Sequence, residues 1–242
     1  MFSDADVAAL YDQLAPWDPA RAECAFVTEH VLAASDVLDV GCGTGSLLQD
    51  ARERGHTGRL TGVDPDPAML DRARRHPGVE WVAGKAADLG WTAEFDLATM
   101  TSNAFQCLIT DADLRASLRA IHTALRPGGR FVFGTRHPQA RAWTGWHPGN
   151  ASDVETADGR KLRMWHEAEM GAGGVVALSE TTATPDGTVL RVDRAELRFL
   201  DPAELNAFLA EAGYVIEAQY GDWVRGPLTD DSREIITVAL RP

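Results

Sequence analysis

The apolar positions of this chain follow two periods, and the change between them divides it into a long α/β part and a shorter β part. Val7, Leu10, Tyr11 and Leu14 repeat at helical spacing, Pro16 and Pro19 break the run, and Phe26, Val27, Val31 and Leu32 resume it. Val37-Leu38-Asp39-Val40 is a short apolar run that stops at Gly41, as a buried strand does, and helical spacing then runs through Leu47, Leu48 and Ala51 to end near Gly55. The same alternation predicts strands at 60–63 (stopping at Asp64), 79–82, 95–100 and 131–133. Helices are predicted over about Pro67–His76 and Asp111–Leu125, the latter with Leu114, Leu118, Ile121 and Leu125 on one face, and a turn at Pro127-Gly128-Gly129. Strands alternating with helices at this spacing imply right-handed crossovers and an α/β fold whose mostly parallel sheet carries helices on both faces.

After His137 the pattern changes. Residues 138–152 hold Trp143 and Trp146 and have no helical period. From about 153 to 199, Leu162, Met164, His166 and Ala168 alternate with Arg163, Trp165, Glu167 and Glu169. Pro185-Asp186-Gly187 reads as a turn, with Leu190, Val192 and Leu197 in the strands that follow. Helical grammar returns at Asp201-Pro202, a good cap and first-turn pair, and runs to Gly213. Tyr214–Tyr220 and Ile235–Leu240 read as closing strands. We therefore expect one domain over 1–242, interrupted after the fifth strand by an antiparallel β insertion, 138–199, that roofs an acceptor pocket.

Composition narrows the function. At 242 residues and 45% apolar content, the chain can bury a real core. No stretch approaches the roughly 18 uninterrupted apolar residues of a membrane span. The opening Met1-Phe2-Ser3-Asp4-Ala5-Asp6 lacks a signal-peptide pattern, so a cytoplasmic protein without a membrane partner is expected. A net charge of −13 with no basic face argues against nucleic acid, and Arg72, Arg74 and Arg75 read as one solvated helix face. Cys24, Cys42 and Cys107 form no Cys-x-x-Cys pair, so neither a disulfide framework nor a metal site is expected. Oligomeric state is left open.

The chemistry concentrates at Val37–Gly45. Glycines at a strand-to-helix turn let a ligand approach the backbone, and the helix start beyond them offers unpaired N–H groups. The spacing is G-x-G-x-G, not the G-x-G-x-x-G of a dinucleotide site. Asp64, 21 residues after Gly43, ends the second strand where a carboxylate can take both hydroxyls of a ribose. Asp39 discriminates further. Beside a diphosphate its carboxylate would be repulsive, whereas beside the ammonium and sulfonium of S-adenosylmethionine it would be attractive. The competing reading of Asp39 is a residue that caps the loop.

These segments resemble the class I S-adenosylmethionine-dependent methyltransferases. Leu38-Asp39-Val40-Gly41-Cys42-Gly43-Thr44-Gly45 looks like their first motif, and Gly62-Val63-Asp64-Pro65-Asp66-Pro67-Ala68-Met69-Leu70 like their second. Phe95-Asp96-Leu97 through Asn103-Ala104-Phe105 is similar to the fourth-strand motif, and Leu125-Arg126-Pro127-Gly128-Gly129-Arg130 to the turn before strand five. The resemblance covers about residues 35–135. It implies a Rossmann-like fold with S-adenosylmethionine as cofactor. Gly41, Cys42 and Gly43 would face its methionine part, Asp39 its ammonium, Asp64 its ribose, and Pro65 and Met69 its adenine. Lys85 stands where the family usually has an acid, so Asp88 or the backbone of Ala86 would meet the adenine amino group instead. Thr101 and Ser102 would border the reacting end, and Tyr11 would cover the cofactor.

The acceptor is a small molecule, methylated on oxygen, nitrogen or carbon. His137, at the end of strand five, is the candidate general base; the competing reading is a turn residue before Pro138. Arg136 would pair with an acceptor carboxylate or with a local acid. Trp143, Trp146 and Trp165 are candidate acceptor contacts, and Trp223 and Trp17 belong to the same aromatic set, in which core packing is the alternative. Two other functions stay open: a nicotinamide-dependent oxidoreductase, which explains the glycines and Asp64 but not Asp39, and a protein that binds S-adenosylmethionine without transferring its methyl group.

Overall fold

The computed structural model describes residues 2–242. Two N-terminal helices, α1 (Asp4–Leu14) and α2 (Ala22–Ala33), precede β1 (Val37–Val40), α3 (Ser46–Glu53), β2 (Leu60–Asp64), α4 (Pro67–Ala73), β3 (Glu80–Ala83), β4 (Phe95–Met100), α5 (Asp111–Ala124) and β5 (Leu125–Arg136). Four further strands follow, β6 (Ser152–Glu155), β7 (Lys161–Met170), β8 (Val175–Ala183) and β9 (Val189–Arg198). The chain closes with α6 (Pro202–Glu211), β10 (Val215–Tyr220) and β11 (Glu234–Leu240). Among the described residues no helix is long and apolar enough to cross a membrane.

The main sheet has the order β10-β11-β5-β4-β1-β2-β3. Strands β1 to β5 run parallel, and β11 lies antiparallel between β5 and β10. Alternate residues of the central strands feed opposite faces, as a doubly covered sheet requires. Phe131 and Phe133 pack with Leu118 and Ile121 of α5 and Leu205 and Leu209 of α6, while Val132 packs with Val27 and Val31 of α2 and Leu47 and Leu48 of α3. Strand order reverses between β1 and β4. A crevice forms there outside the C-terminal strand ends, the place where ligands bind in such sheets.

Two boundaries differ from the sequence expectation. The Pro127-Gly128-Gly129 turn lies inside β5. Pairing with β4 jumps from Phe95↔Leu125 to Leu97↔Arg130, and Gly128 at φ +84° absorbs the excess residues. Arg126 clamps both Asp36 and Asp96, which pins the strand on the near side of this bulge. Helix α4 ends at Ala73, not His76. Arg75 and His76 make only tight turns back to Arg72 and Ala73, because Pro77 disfavours helical backbone at His76.

Residues 138–150 form three single helical turns, and β6 to β9 form a separate antiparallel sheet in sequence order. The two ends of one face are used differently. Leu162 and Met164 pack on Phe2 and Leu10 beside α1, and Asp4–Arg191 and Asp6–Arg160 ion pairs flank that contact. Trp143 and Trp146 pack with Val176, Leu197 and Phe199 at the other end of the sheet. On its opposite side α1 reaches α4 through Asp12, which accepts from Arg72 at 2.7 Å. The N-terminal helix thus bridges the small sheet and the rim of the crevice.

Candidate functional site

The crevice is built by β1 and its glycine loop. Gly41 and Cys42 both donate to the carbonyl of Val63, which ties the loop to the end of β2. Gly41 (φ +74°) must be glycine twice over: a Cβ there would also lie 2.7 Å from that of Ala104. Gly43 (φ +54°) differs, because a Cβ on it would meet nothing within 4 Å. Its backbone borders open space, as a cradle for a ligand requires. Cys42 turns its side chain away into a cluster with Leu70, Ala73 and Trp81, so only its backbone belongs to the loop surface. Burial pushes its thiol up.

Asp64 organises the loop. Its carboxylate accepts from the Gly43 N–H at 2.8 Å and from the Asp66 N–H at 2.8 Å. Asp66 in turn caps α4 through the N–H groups of Ala68 and Met69. Burial raises the pKa of Asp64, and these two backbone donors oppose the shift. Asp39 is almost fully buried and accepts from the Thr99 hydroxyl at 2.7 Å. No loop N–H donates to it among the described residues, so it does not cap the loop. Burial pushes its carboxyl up to about 7, with the Asp64 charge adding to the effect and the Thr99 donor opposing it. A carboxylate held this way is stabilised by a cation placed beside it. Pro65 and Lys85 are exposed on the rim, Met69 and Thr101 are half-buried, and Ala86 is buried at a single turn after β3.

A cavity of about 280 Å³ adjoins the crevice beyond β4. Tyr11, Trp17, Glu23, Trp223, Arg136 and Glu234 line it together with Ser102, Asn103 and Thr135. Its floor follows from topology. Antiparallel β11 begins where parallel β5 ends, so Glu234 stands directly opposite Arg136. Glu23 accepts from the Ser102 N–H at 3.2 Å, which brings α2 against the tip of β4. Burial raises the Glu234 pKa; the Glu23 charge adds to this and the Arg136 charge opposes it. A second cavity, about 720 Å³, shares Arg136 and Glu234 with the first.

The remaining expected site residues divide. Tyr11 and Arg136 reach the first cavity, and Trp146 lies beneath the Arg136 guanidinium at 5.4 Å. Trp143 packs edge-on against Phe199 at 4.7 Å and belongs to the core of the small sheet. Trp165 lies on the face of β7 opposite Leu162 and Met164 and is brought to neither cavity, because strand alternation turns it outward. His137 is also absent from both cavity linings. It is buried; its Nδ1 accepts from the Gln139 N–H at 3.2 Å, and its backbone N–H donates to Arg233. Its Nδ1 is thus taken up by the turn, which fits the turn reading, and its Nε2 is buried without a hydrogen-bond partner. Glu23 and Glu234 were not legible as site residues. Their one signal is Glu234 opening the otherwise apolar run Ile235–Leu240.

Residues 37–129 match a family described as a methyltransferase domain. The cypemycin N-terminal methyltransferase of a Streptomyces species is 29% identical over 227 residues, covering 92% of this chain and 90% of that one. The next curated relatives are matched over 50–58% of their own length. Among solved structures, an S-adenosylmethionine-dependent methyltransferase from Clostridium acetobutylicum superposes with a TM-score of 0.76 at 19% identity, covering 97% of each chain. A sugar N-methyltransferase from a Streptoalloteichus species superposes at 0.70 and 24% identity, covering 95% of this chain and 91% of that one. The matched segment is a methyltransferase domain, and the sheet order, the open glycine cradle and the paired acids on β1 and β2 are consistent with the class I S-adenosylmethionine-dependent methyltransferases.

Proposed function

We propose that this enzyme methylates the nitrogen of a small-molecule amine seated in the cavity between α2 and the ends of β4, β5 and β11. The observation that carries the reading is the cavity's lining: two carboxylates, Glu23 and Glu234, among three aromatic side chains, Tyr11, Trp17 and Trp223, with Arg136 also on the wall and Arg21 3.5 Å from Glu23. Carboxylates and aromatic faces both attract an ammonium group. The cypemycin relative is named for methylating an N-terminus, and the fold accommodates amines in the sugar N-methyltransferase.

S-adenosylmethionine, when bound, supplies a methyl group on a cationic sulfur; the N–C bond forms as the S–C bond breaks, leaving S-adenosylhomocysteine. Asp39 would face its ammonium, Asp64 its ribose, and the Gly41–Gly43 backbone its methionine part. Pro65, Met69 and Ala86 would border its adenine. The acceptor arrives protonated at neutral pH and has no lone pair until it loses a proton. Glu234 takes that proton on its carboxylate, leaving the electron pair on nitrogen. Burial suits it to the task, because a carboxylate with a raised pKa is a better proton acceptor. Glu23, fixed by the Ser102 N–H, steers the ammonium toward the tip of β4. The rest of the catalysis is positioning.

A panel of amines, alcohols and phenols, assayed for S-adenosylhomocysteine release, tests the reading. Turnover with amines that is lost in E234Q supports it. Turnover restricted to alcohols or phenols would refute it.

A further inference from the structure

Arg136 and Glu234 sit directly opposite on adjacent strands, where side chains of opposite charge ordinarily close on each other. They do not. Among the described residues Arg136 forms no ion pair. Its guanidinium is held elsewhere, with Nε donating to Asn103 Oδ1 at 3.2 Å and Cζ lying over the Trp146 ring, 5.4 Å from its centroid. Its backbone N–H is fixed as well, donating to the buried Gln106 side chain at 3.2 Å. Gln106 in turn donates to the Arg198 carbonyl. An arginine anchored through Nε and held over an indole face keeps its terminal nitrogens as a preorganised fork for a planar anion. Both residues line the first cavity and the second.

We infer that the open Arg136–Glu234 pair is a zwitterion site, and that the acceptor is an amine that also carries a carboxylate, an amino acid or a derivative of one. The carboxylate meets the Arg136 fork while the ammonium meets Glu234 and Glu23 across the gap. A ligand that supplies both charges completes the broken cross-strand pair from the middle. An amine without a carboxylate would leave the arginine without an anion in a half-buried cavity, which disfavours it. This inference rests on the amine reading above and deepens it.

Three probes of similar size separate the cases: L-alanine has both charges, L-alaninamide only the ammonium, and propionate only the carboxylate. Their binding to the enzyme loaded with S-adenosylhomocysteine can be ranked by saturation-transfer NMR. Alanine is expected to bind roughly tenfold more tightly than either of the others. R136Q should bring alanine down to the level of alaninamide, and R136K should restore part of the difference. S-adenosylhomocysteine affinity, measured in parallel, reports that each variant is folded. Equal binding of alanine and alaninamide by the wild-type enzyme overturns the zwitterion site and leaves the amine reading standing. Propionate matching alanine refutes both. Absence of binding by all three, or a loss of S-adenosylhomocysteine affinity in R136Q, overturns the inference, the latter by assigning the arginine to the cofactor.

Discussion

Thr99 and Asp39 face each other across the β4–β1 ladder, and the threonine hydroxyl donates to the buried carboxylate at 2.7 Å. That bond supports the charged form of a group whose burial disfavours charge. T99V should therefore push the Asp39 pKa higher and weaken cofactor binding, most of all below neutral pH. Calorimetric titration with S-adenosylhomocysteine at several pH values checks this. Identical curves for variant and wild type would remove Asp39 from the binding equilibrium.

Asp39 also predicts a stability cost with a definite sign. Its carboxyl sits at about 7 in the folded chain, against 3.8 for the ordinary group. Between these values the folded state binds more protons than the unfolded state. This group's contribution is thus neutral below the unfolded pKa, turns unfavourable as pH rises and levels off above about 7. The cost is at most about 4 kcal/mol. D39N should stabilise the ligand-free protein at pH 8 relative to wild type, lose that advantage by pH 4, and bind the cofactor more weakly. Melting curves across this range, with and without S-adenosylhomocysteine, measure both effects.

Asp64 holds the backbone of the glycine loop and of the turn before α4 at once. D64A should weaken cofactor binding by about 1–3 kcal/mol, the range for stranding buried polar partners. Faster amide exchange at Gly43 and Asp66 should accompany the loss. Unchanged affinity would dissociate the ribose from this carboxylate.

His137 and Glu234 make opposite predictions. H137N keeps an acceptor for the Gln139 N–H, so kcat should stay within about twofold of wild type, while stability falls by about 1 kcal/mol. E234Q should lower kcat and abolish its acidic limb, and E23Q should act mainly on the acceptor's KM. A pH–rate profile of the three variants decides between the two candidate bases.

The strand–loop–helix frame of the crevice was legible in the sequence because each part of it is local. The run ending at Gly41, the acid at the end of β2 and the proline opening α4 all act within their own strand–loop–helix unit. The place of Trp165 was not legible, because sequence shows that it alternates with Leu162 and Met164 but not which face of β7 meets α1. The cavity proposed for the acceptor was illegible for a different reason. Glu23 and Glu234 are 211 positions apart, and only the antiparallel insertion of β11 beside β5 brings the second to the tip of β4. His137 was chosen for its place at a strand end, and the Gln139 N–H that occupies its Nδ1 comes from a turn whose geometry no period encodes.

The central claim is that methyl transfer goes to nitrogen. Turnover with S-adenosylmethionine carrying a ¹³C-labelled methyl group, followed by NMR of the labelled product, tests it most directly. The account predicts a product methyl bonded to an amine nitrogen, its carbon and proton shifts moving together as that amine titrates. A labelled methyl on oxygen or carbon, insensitive to pH, would contradict it.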